Sequence, residues 1–465
     1  MYDVVVIGSG PGGYIAAIRA AQLDMKVACV ERYPTFGGTC LNVGCIPSKA
    51  LLESSERFVE ANEKFEAHGI DIGEVSLNFG QMQNHKEEVV SGLVNGVKYL
   101  FDKNEVDGIH GWGRIADENT VEVTDDDGEV QQTLETKNII IATGSKPLEL
   151  PGAEFDKECI VDSTGALEFE DVPDHLVVIG AGVIGLELGS VYSRLGADVT
   201  VLEYMPEILG GRMDSDVARQ AQRIFKKQGL EFVLEAEVTG AEVDDGTVVT
   251  TYNHDGEEKT IESDKLLVGI GRRPFTDNLG LENIGLETND GGFIEVNDHF
   301  ETDVDGVYAI GDVIPGPMLA HLAEHEGVVC VERINGIAGH VNYDAVPDVV
   351  YTHPELASVG KTEAELKEAG VDYKIGKFPY KANGRARAIG DTEGFTKILA
   401  DAETDEILGA HIIGNQAGDL IAELAVAMEF ASSSEDIARS SHAHPTLAEI
   451  VKEAALDVSD RTLNL

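Results

Sequence analysis

Cysteine is scarce in this chain, with five in 465 residues: Cys29, Cys40, Cys45, Cys159 and Cys330. An odd, sparse set in a chain of this length is no secreted disulfide framework, so any disulfide here is expected to be a working one. Zinc usually needs a second ligand pair beside Cys40 and Cys45, and the other three cysteines do not supply it; no metal site is expected. Basic residues are also few, 35 against 84 acidic ones, for a net charge of −49. Phosphate-contact binding of DNA or RNA is thereby excluded. The start of the chain has no basic leader or small-residue cleavage site, and no apolar stretch reaches the ~20 residues of a membrane span. A cytoplasmic protein is expected.

The acid excess carries a reading of its own. Self-repulsion of this size destabilises a compact state at low salt, and molar salt relieves it by shortening the Debye length to about 3 Å. The acids are spread along the chain among apolar periodic segments, not gathered in a disordered tail. The composition resembles that of halophilic proteins and points to a salt-rich cytoplasm. With 43% hydrophobic residues the chain can bury ample core, and its length suggests roughly three domains of ~150 residues.

What is present is a repeated unit. Tyr2 to Ile7 is an apolar strand pattern that runs into Gly8-Ser9-Gly10-Pro11-Gly12-Gly13, an Ala-rich helix to Gln22, and a second strand from Lys26 to Glu31. The same order recurs from His175 through Gly180, Gly182 and Gly185, a helix to Leu195, and a strand from Asp198 to Glu203. Each acid follows its first glycine by 23 positions, and the two units are offset by 172 residues. One such glycine pattern is weak evidence; two in register, each with its acid, predict two dinucleotide folds. The first glycine makes the tight turn, the second admits a pyrophosphate, and the helix N-terminus presents amides to it. Glu31 and Glu203 are placed to accept from a ribose hydroxyl. Near Glu203, Tyr204-Met205-Pro206 offers no cation for a 2′-phosphate, so NAD is favoured over NADP.

Two further turns, Ala142-Thr143-Gly144 and Gly269-Ile270-Gly271-Arg272-Arg273-Pro274, follow strand-like runs and look like the ends of the two nucleotide domains. Each returns the chain after an acidic hairpin-like insertion, such as Val121 to Val123 and Val248 to Tyr252. Beyond Tyr343 no cofactor motif remains, and amphipathic stretches such as Leu420 to Phe430 suggest a module for association.

Gly37-Gly38-Thr39-Cys40-Leu41-Asn42-Val43-Gly44-Cys45-Ile46-Pro47-Ser48-Lys49 lies just past the first fold's acid. Four residues between the thiols permit a pair closed within one helical turn, and glycines let it approach a flat cofactor. A thiolate there is expected to be stabilised by helix-terminal amides and by Lys49. Near the C-terminus, His442-Ala443-His444-Pro445 offers two equally placed candidates for a base.

These segments together resemble the class I flavoprotein disulfide reductases, and Cys40 to Lys49 is close to the form found in the dihydrolipoamide-oxidising branch of that family. The similarity spans essentially the whole chain, including Gly306 to Asp312, Tyr351 to Glu355 and His442 to Glu449 in the family's order. It implies an α/β fold with two Rossmann-like dinucleotide-binding domains and an α+β C-terminal dimerisation domain. The expected boundaries are 1–146 for FAD, 147–271 for NAD, 272–342 for a central segment completing the FAD site, and 343–465 for the dimer interface. Cys40 would be the interchange thiol and Cys45 the thiol facing the flavin. Lys49, paired with Glu187, would tune the flavin, and Asp312 would bond its ribityl chain. Gly8, Gly10, Gly13, Gly38, Thr39, Thr143 and Gly144 fall to the FAD site, and Gly180, Gly182, Gly185 and Gly271 to the nucleotide sites generally. The resemblance selects His444 as the base, held by Glu449 and reaching the disulfide of the other subunit of a homodimer. Its implied substrate is the dihydrolipoyl group of a carrier protein in a 2-oxoacid dehydrogenase or glycine cleavage system, since the chain has no lipoyl domain.

Rival readings are a glutathione-type reductase, a mercuric reductase, a disulfide-independent transhydrogenase and a non-enzymatic scaffold. The first typically has basic NADP-binding residues after the second fold, absent here, and differs around Pro47. The second commonly has a C-terminal cysteine pair, and no cysteine follows Cys330. Intact Cys40, Cys45, His444 and Glu449 weigh against the last two. One departure from the family is the charge of −49, which bears on salt and pH optima and leaves the chemistry untouched.

Overall fold

The apolar runs that end in glycine form parallel strands. In the computed structural model, which describes every residue from Met1 to Leu465, the chain divides into two compact units. One comprises residues 1–51, 78–148 and 271–341, and the other residues 52–77, 149–270 and 342–465.

The first unit is built on a seven-stranded sheet. Asp107–His110, Val27–Glu31, Tyr2–Ile7, Val130–Ile141, Thr120–Thr124 and Trp112–Asp117 lie side by side in that order, and Val307–Ala309 also pairs with Val130–Ile141. Tyr2–Ile7 is parallel to both neighbours, with Val4 opposite Val27 on one side and Asn138 on the other. A parallel strand is covered on both faces, so Val4, Val5 and Val6 are all fully buried, as are Ile139, Ile140 and Ile141. Truncating any of these isoleucines to alanine is expected to cost ~2–5 kcal/mol. The earlier half of Val130–Ile141 pairs antiparallel with Thr120–Thr124, where the alternation seen in the sequence buries Val121 and Val123 and leaves Glu122 nearer solvent.

Helix Pro11–Gln22 leaves the first strand through Gly10, with Pro11 at its start, where a missing N–H costs no helical bond. Its small residues allow helix Ala320–Ile334 to cross it closely. A Cβ on Gly327 would stand 2.6 Å from the Gly12 carbonyl oxygen, which only glycine avoids. Arg19 and Glu332, 2.6 Å apart, join the same two helices.

The second unit repeats the parallel theme with Leu230–Leu234, Asp198–Glu203, His175–Ile179, Lys265–Val268 and Ile160–Val161 in that order. Its acidic insertion, Glu237–Asp244, Thr247–His254 and Glu257–Ser263, is a three-stranded antiparallel sheet. The C-terminal part forms a five-stranded antiparallel sheet, ordered Asp348–Val350, Glu355–Gly360, Ile407–Gly414, Phe395–Asp401 and Tyr373–Pro379. Helices Ala417–Glu429 and Glu449–Asp457 pack their apolar residues on it. Lys397, wholly buried on Phe395–Asp401, ion-pairs with Glu363 at 2.6 Å, Asp214 at 2.9 Å and Asp216 at 3.3 Å. The fold class is the expected one: α/β with two dinucleotide-binding folds and an α+β C-terminal part. No helix is long and apolar enough to cross a membrane.

Candidate redox and nucleotide sites

The two glycine turns have matching geometry. Gly8 and Gly180 both stand at φ +100°, and a Cβ on either would collide with a carbonyl oxygen, that of Ala142 at 2.3 Å and that of Gly269 at 2.6 Å. Cβ positions on Gly13 and Gly185 fall 1.9 and 2.0 Å from the carbonyl oxygens of Gly8 and Gly180, so the helix can close on its turn only without a side chain. Gly10 and Gly182, by contrast, have nothing within 4 Å of a Cβ position. Each is the N-cap of its helix with no side-chain cap, leaving amide donors and a positive dipole end beside open space.

The acids complete both turns in the same way. Glu31 accepts from the Ser9 N–H at 3.0 Å and the Tyr33 N–H at 3.0 Å. Glu203 accepts from the Ala181 N–H at 2.6 Å and the Met205 N–H at 2.7 Å. Both are buried. A carboxylate accepts up to about four bonds, so each keeps capacity for a ribose hydroxyl. The Ser9 hydroxyl adds a bond to Glu31 at 2.6 Å and accepts from the Gly37 N–H at 3.1 Å, tying the first turn to the cysteine segment.

That segment departs from one expectation. Cys40 and Cys45 do not share a helical turn: Cys40 lies on helix Gly38–Val43, Cys45 opens helix Cys45–Val59, and Gly44 between them is non-helical at φ −138°, ψ −111°. On an unbroken helix five residues advance by about 500°, which would point the two side chains well apart. The break at Gly44 lets them meet. Helix Gly38–Val43 begins against the first glycine turn, with the Cβ position of Gly38 only 2.5 Å from the Gly10 Cα, and Thr39 follows directly.

All five cysteines are thiols in this structure. The Cys40 thiol is pushed well above the usual cysteine range by its hydrogen bond to Cys45, then by burial and the neighbouring sulfur; Lys49 opposes this and Glu324 adds to it. Lys49 acts in the direction expected of it, favouring the thiolate. Glu324, itself raised by burial, pairs with Tyr14 at 3.4 Å.

Asp312 lies on a short 3-10 turn in the first unit and accepts from the Ser145 hydroxyl. Arg272 donates through Nε to that hydroxyl at 2.7 Å and through Nη2 to the Ser145 carbonyl at 2.8 Å. Thr143 donates to the Phe275 carbonyl at 2.6 Å, and Gly144, at φ +72°, accepts from the Phe275 N–H. Gly271 lies with these residues in the first unit, its carbonyl accepting from the Leu148 N–H at 3.0 Å, whereas the sequence reading ended the second nucleotide domain there. The glycine that abuts the second turn is Gly269. Glu187 is buried in the second unit and accepts from the Tyr351 N–H at 2.9 Å.

The two histidines near the C-terminus are not equivalent. His444 is 78% exposed, and its Nδ1 is 2.9 Å from Glu449 Oε1. Glu449 is fixed by the Thr446 N–H at 3.0 Å. Burial pushes the Glu449 carboxyl up, but the bonds from Thr446 and His444 and the positive charge of His444 and His442 outweigh it and hold it below the usual range. His442 is only 6% exposed, with Nε2 at 2.8 Å from Glu423 and Nδ1 at 3.1 Å from the Ser440 carbonyl oxygen. A group that must reach a substrate proton is better served by His444, whose Nε2 faces solvent. Sequence reasoning missed Ser9, Ser145, Gly269 and Glu423; only Ser9 and Gly269, inside the glycine runs, left a local signal.

Paired dinucleotide turns, a thiol pair beside the first and a carboxylate-held histidine define a flavoprotein disulfide oxidoreductase. Residues 2–327 match the family model described as pyridine nucleotide-disulphide oxidoreductase, and residues 346–455 match its dimerisation domain. The chain belongs to this family. It is 52% identical over 467 residues to the mitochondrial dihydrolipoyl dehydrogenase of Dictyostelium discoideum, covering 100% of this chain and 95% of that protein. To the human mitochondrial dihydrolipoyl dehydrogenase it is 52% identical, covering 98% and 90%. A leghemoglobin reductase of Glycine max is 53% identical, covering 99% and 88%. Among solved structures, LpdA from Mycobacterium tuberculosis superimposes with a TM-score of 0.90 at 26% identity, over 97% of this chain and 99% of that one. The flavoprotein disulfide reductase RclA from Escherichia coli superimposes at 0.86 and 27% identity, over 99% and 100%.

FAD and NAD are the cofactors of this family and of this chain. The residues present fit two such groups: two helix N-termini face open space at Gly10 and Gly182, and each turn is closed by its own buried acid.

Proposed function

We propose that the chain oxidises the dihydrolipoyl group of a carrier protein with NAD⁺. The Cys40–Cys45 pair, hydrogen-bonded across the break at Gly44, is the observation that carries this reading. We assign FAD to the turn at Gly8, Gly10 and Gly13 with Glu31, Gly38, Thr39, Lys49, Thr143, Gly144 and Asp312, and NAD to Gly180, Gly182 and Gly185 with Glu203. Gly271 is assigned to the nucleotide machinery as the residue before Arg272. The domains follow as 1–146, 147–271, 272–342 and 343–465, the last forming a homodimer. A sparse cysteine set supports a cytoplasmic location, and the charge of −49 supports a salt-rich one.

The substrate half-reaction uses this chain's own groups. His444 of one subunit, oriented through Nδ1 by Glu449, takes a proton at Nε2 from a dihydrolipoyl thiol, which near pKa 8.5 is mostly protonated at neutral pH. The resulting thiolate attacks the Cys40 sulfur of the oxidised pair, and Cys45 leaves as thiolate. The second substrate thiol then displaces Cys40, which leaves with a proton, releasing the cyclic disulfide and a reduced pair. In this reading the charge of the singly ionised pair falls on Cys45, the thiol assigned to face the flavin. Bound FAD supplies the relay that passes the two electrons on to NAD⁺.

Steady-state NAD⁺ reduction with dihydrolipoamide in molar KCl, run beside glutathione disulfide with NADPH, tests this. Fast NADH formation is expected, abolished in Cys45→Ser and lowered about 10²–10⁴-fold in His444→Ala. Turnover with the glutathione pair alone, or full lipoamide activity in Cys45→Ser, would overturn it.

A further inference from the structure

The acid that closes the second glycine turn holds only half of it. Glu203 accepts from the Ala181 N–H and so fixes the peptide between Gly180 and Ala181. The next peptide, from Ala181 to Gly182, is held from its other side, where the Ala181 carbonyl accepts from the Leu209 N–H at 2.9 Å. A trans peptide is planar, with its C=O and N–H pointing in opposite directions. Fixing the Ala181 carbonyl therefore fixes the direction of the Gly182 N–H, at the N-cap of helix Val183–Arg194, where the turn faces open space.

The first fold makes the same bond. Six residues past Glu31, the Gly37 N–H donates to the Ser9 carbonyl at 3.0 Å, and Leu209 stands six residues past Glu203. The backbones match as well: Gly37 at φ +108° is followed by Gly38 at φ +57°, and Leu209 at φ +66° by Gly210 at φ +54°. The internal repeat thus runs on past the acids, into the segment that carries Cys40 in the first fold. There the left-handed position must be glycine, since a Cβ on Gly37 would stand 2.7 Å from the Leu41 side chain of the helix that follows. The second fold has only the short turn Ile208–Gly211 at this place and sets a leucine in it. A bulky residue at positive φ persists only where its surroundings hold it. Here Ile208 is wholly buried and Leu209 is 3% exposed, so apolar packing holds the conformation.

We infer that Leu209 is a positioning residue of the NAD site: held in left-handed backbone by its buried side chain, it aims its main-chain N–H at Ala181 and so turns the Gly182 N–H toward the NAD pyrophosphate. This rests on the reading of the second turn as the NAD site. The bond is made by backbone and the conformation is kept by the side chain, so the two can be changed apart. An ester in place of the Leu209 amide, with leucic acid inserted by nonsense suppression, deletes the N–H and keeps the side chain. Leu209→Ile keeps the volume and the N–H but puts a β-branch where φ is positive, the setting that β-branched residues tolerate least. Leu209→Met keeps the volume without the branch.

The test is the Kd for NAD⁺ of the FAD-loaded homodimer, read by titration calorimetry in molar KCl, with flavin content read from absorbance as the control on the first turn. The ester is expected to raise the Kd about tenfold, the loss of one well-aimed bond to a charged group, with flavin content kept. Leu209→Ile is expected to raise it in the same sense, and Leu209→Met to stay within about twofold of the parent. A side chain that mattered for packing alone would leave the ester at the parent value and would make the isoleucine and methionine variants alike. A Kd within about twofold of the parent in the ester overturns the inference, and so does an equal rise in those two variants. Glu203→Gln with an unmoved Kd for NAD⁺ would instead remove the NAD reading on which this one stands.

Discussion

Glu203 ends its strand with both carboxylate oxygens engaged by backbone, the Ala181 N–H and the Met205 N–H, and Glu31 repeats the arrangement with Ser9 and Tyr33. A glutamine at either site keeps the size but turns one oxygen into an amide donor facing a backbone N–H. Losing one such charge-assisted bond costs ~1.5–3 kcal/mol, or roughly 10- to 100-fold in affinity. The two substitutions should separate cleanly. Glu203→Gln is expected to raise the KM for NAD⁺ about tenfold or more while retaining FAD, and to narrow the preference for NAD⁺ over NADP⁺. Glu31→Gln is expected to be purified with FAD depleted and to recover activity when FAD is added. Flavin absorbance and initial rates measure both, and equal flavin loss in the two variants would sink the assignment of one cofactor to each turn. These residues were legible because their geometry is local: a strand, a turn and a helix fall within 30 residues, where spacing alone carries the information.

At the scale of elements, the buried Lys397 joins three segments of the second unit. Asp214 caps helix Ser215–Lys227, Asp216 lies in that helix's first turn, Glu363 begins helix Glu363–Ala369, and Lys397 sits on a central strand. Burial pushes Asp214 and Asp216 up, but hydrogen bonds and cationic charge, chiefly Lys397 for Asp214 and Arg219 for Asp216, hold both below the usual range. Glu363, bonded to Lys367 and Lys397, is lowered to about 2. Carboxyl groups depressed on folding contribute stability that is full above their unfolded values near 4 and is lost as pH falls toward their folded values. Lys397 is raised by its partners despite burial, so its share is present through neutral pH and is lost only as pH rises past its folded value. Lys397→Met leaves the buried Asp214 without its ion-pair partner and removes one cation from Asp216, which keeps Arg219, and from Glu363, which keeps Lys367; it is expected to cost ~3–5 kcal/mol at pH 7, read from urea midpoints in high salt. The loss should shrink toward pH 3 as the acids protonate, and a variant within about 1 kcal/mol of the parent at pH 7 would sink the argument. Nothing in the sequence announces this cluster, since Lys397 and Asp214 lie 183 residues apart. The Ser145, Arg272 and Asp312 network was hidden for the same reason, and the break at Gly44 because spacing counts residues without showing where a helix stops.

Over the whole molecule the charge of −49 is a property of no single element. The chain keeps two dinucleotide folds and an antiparallel C-terminal sheet while adding carboxylates at exposed positions such as Asp126, Asp127 and Glu129. Apolar patterning decides the fold and is indifferent to what covers the surface, which explains why the architecture was readable through so unusual a composition. That residues 272–342 return to the first nucleotide domain was implied by the family resemblance and not by spacing, because strand Val307–Ala309 joins the first sheet from far along the chain. Surface repulsion acts over a Debye length of ~30 Å at 0.01 M salt and ~3 Å at 1 M. Melting temperature is therefore expected to rise steeply with KCl, by about 10 °C or more between 0.05 and 2 M, and to flatten once screening is complete. Sucrose strengthens burial by exclusion without screening charge. At matched osmolality it should recover only a minor part of the gain, and lowering the pH from 7 to 5 at low salt should recover some of it by neutralising surface acids. If sucrose served as well as KCl, the salt requirement would belong to the apolar core, and the acid excess would be left without a part in stability.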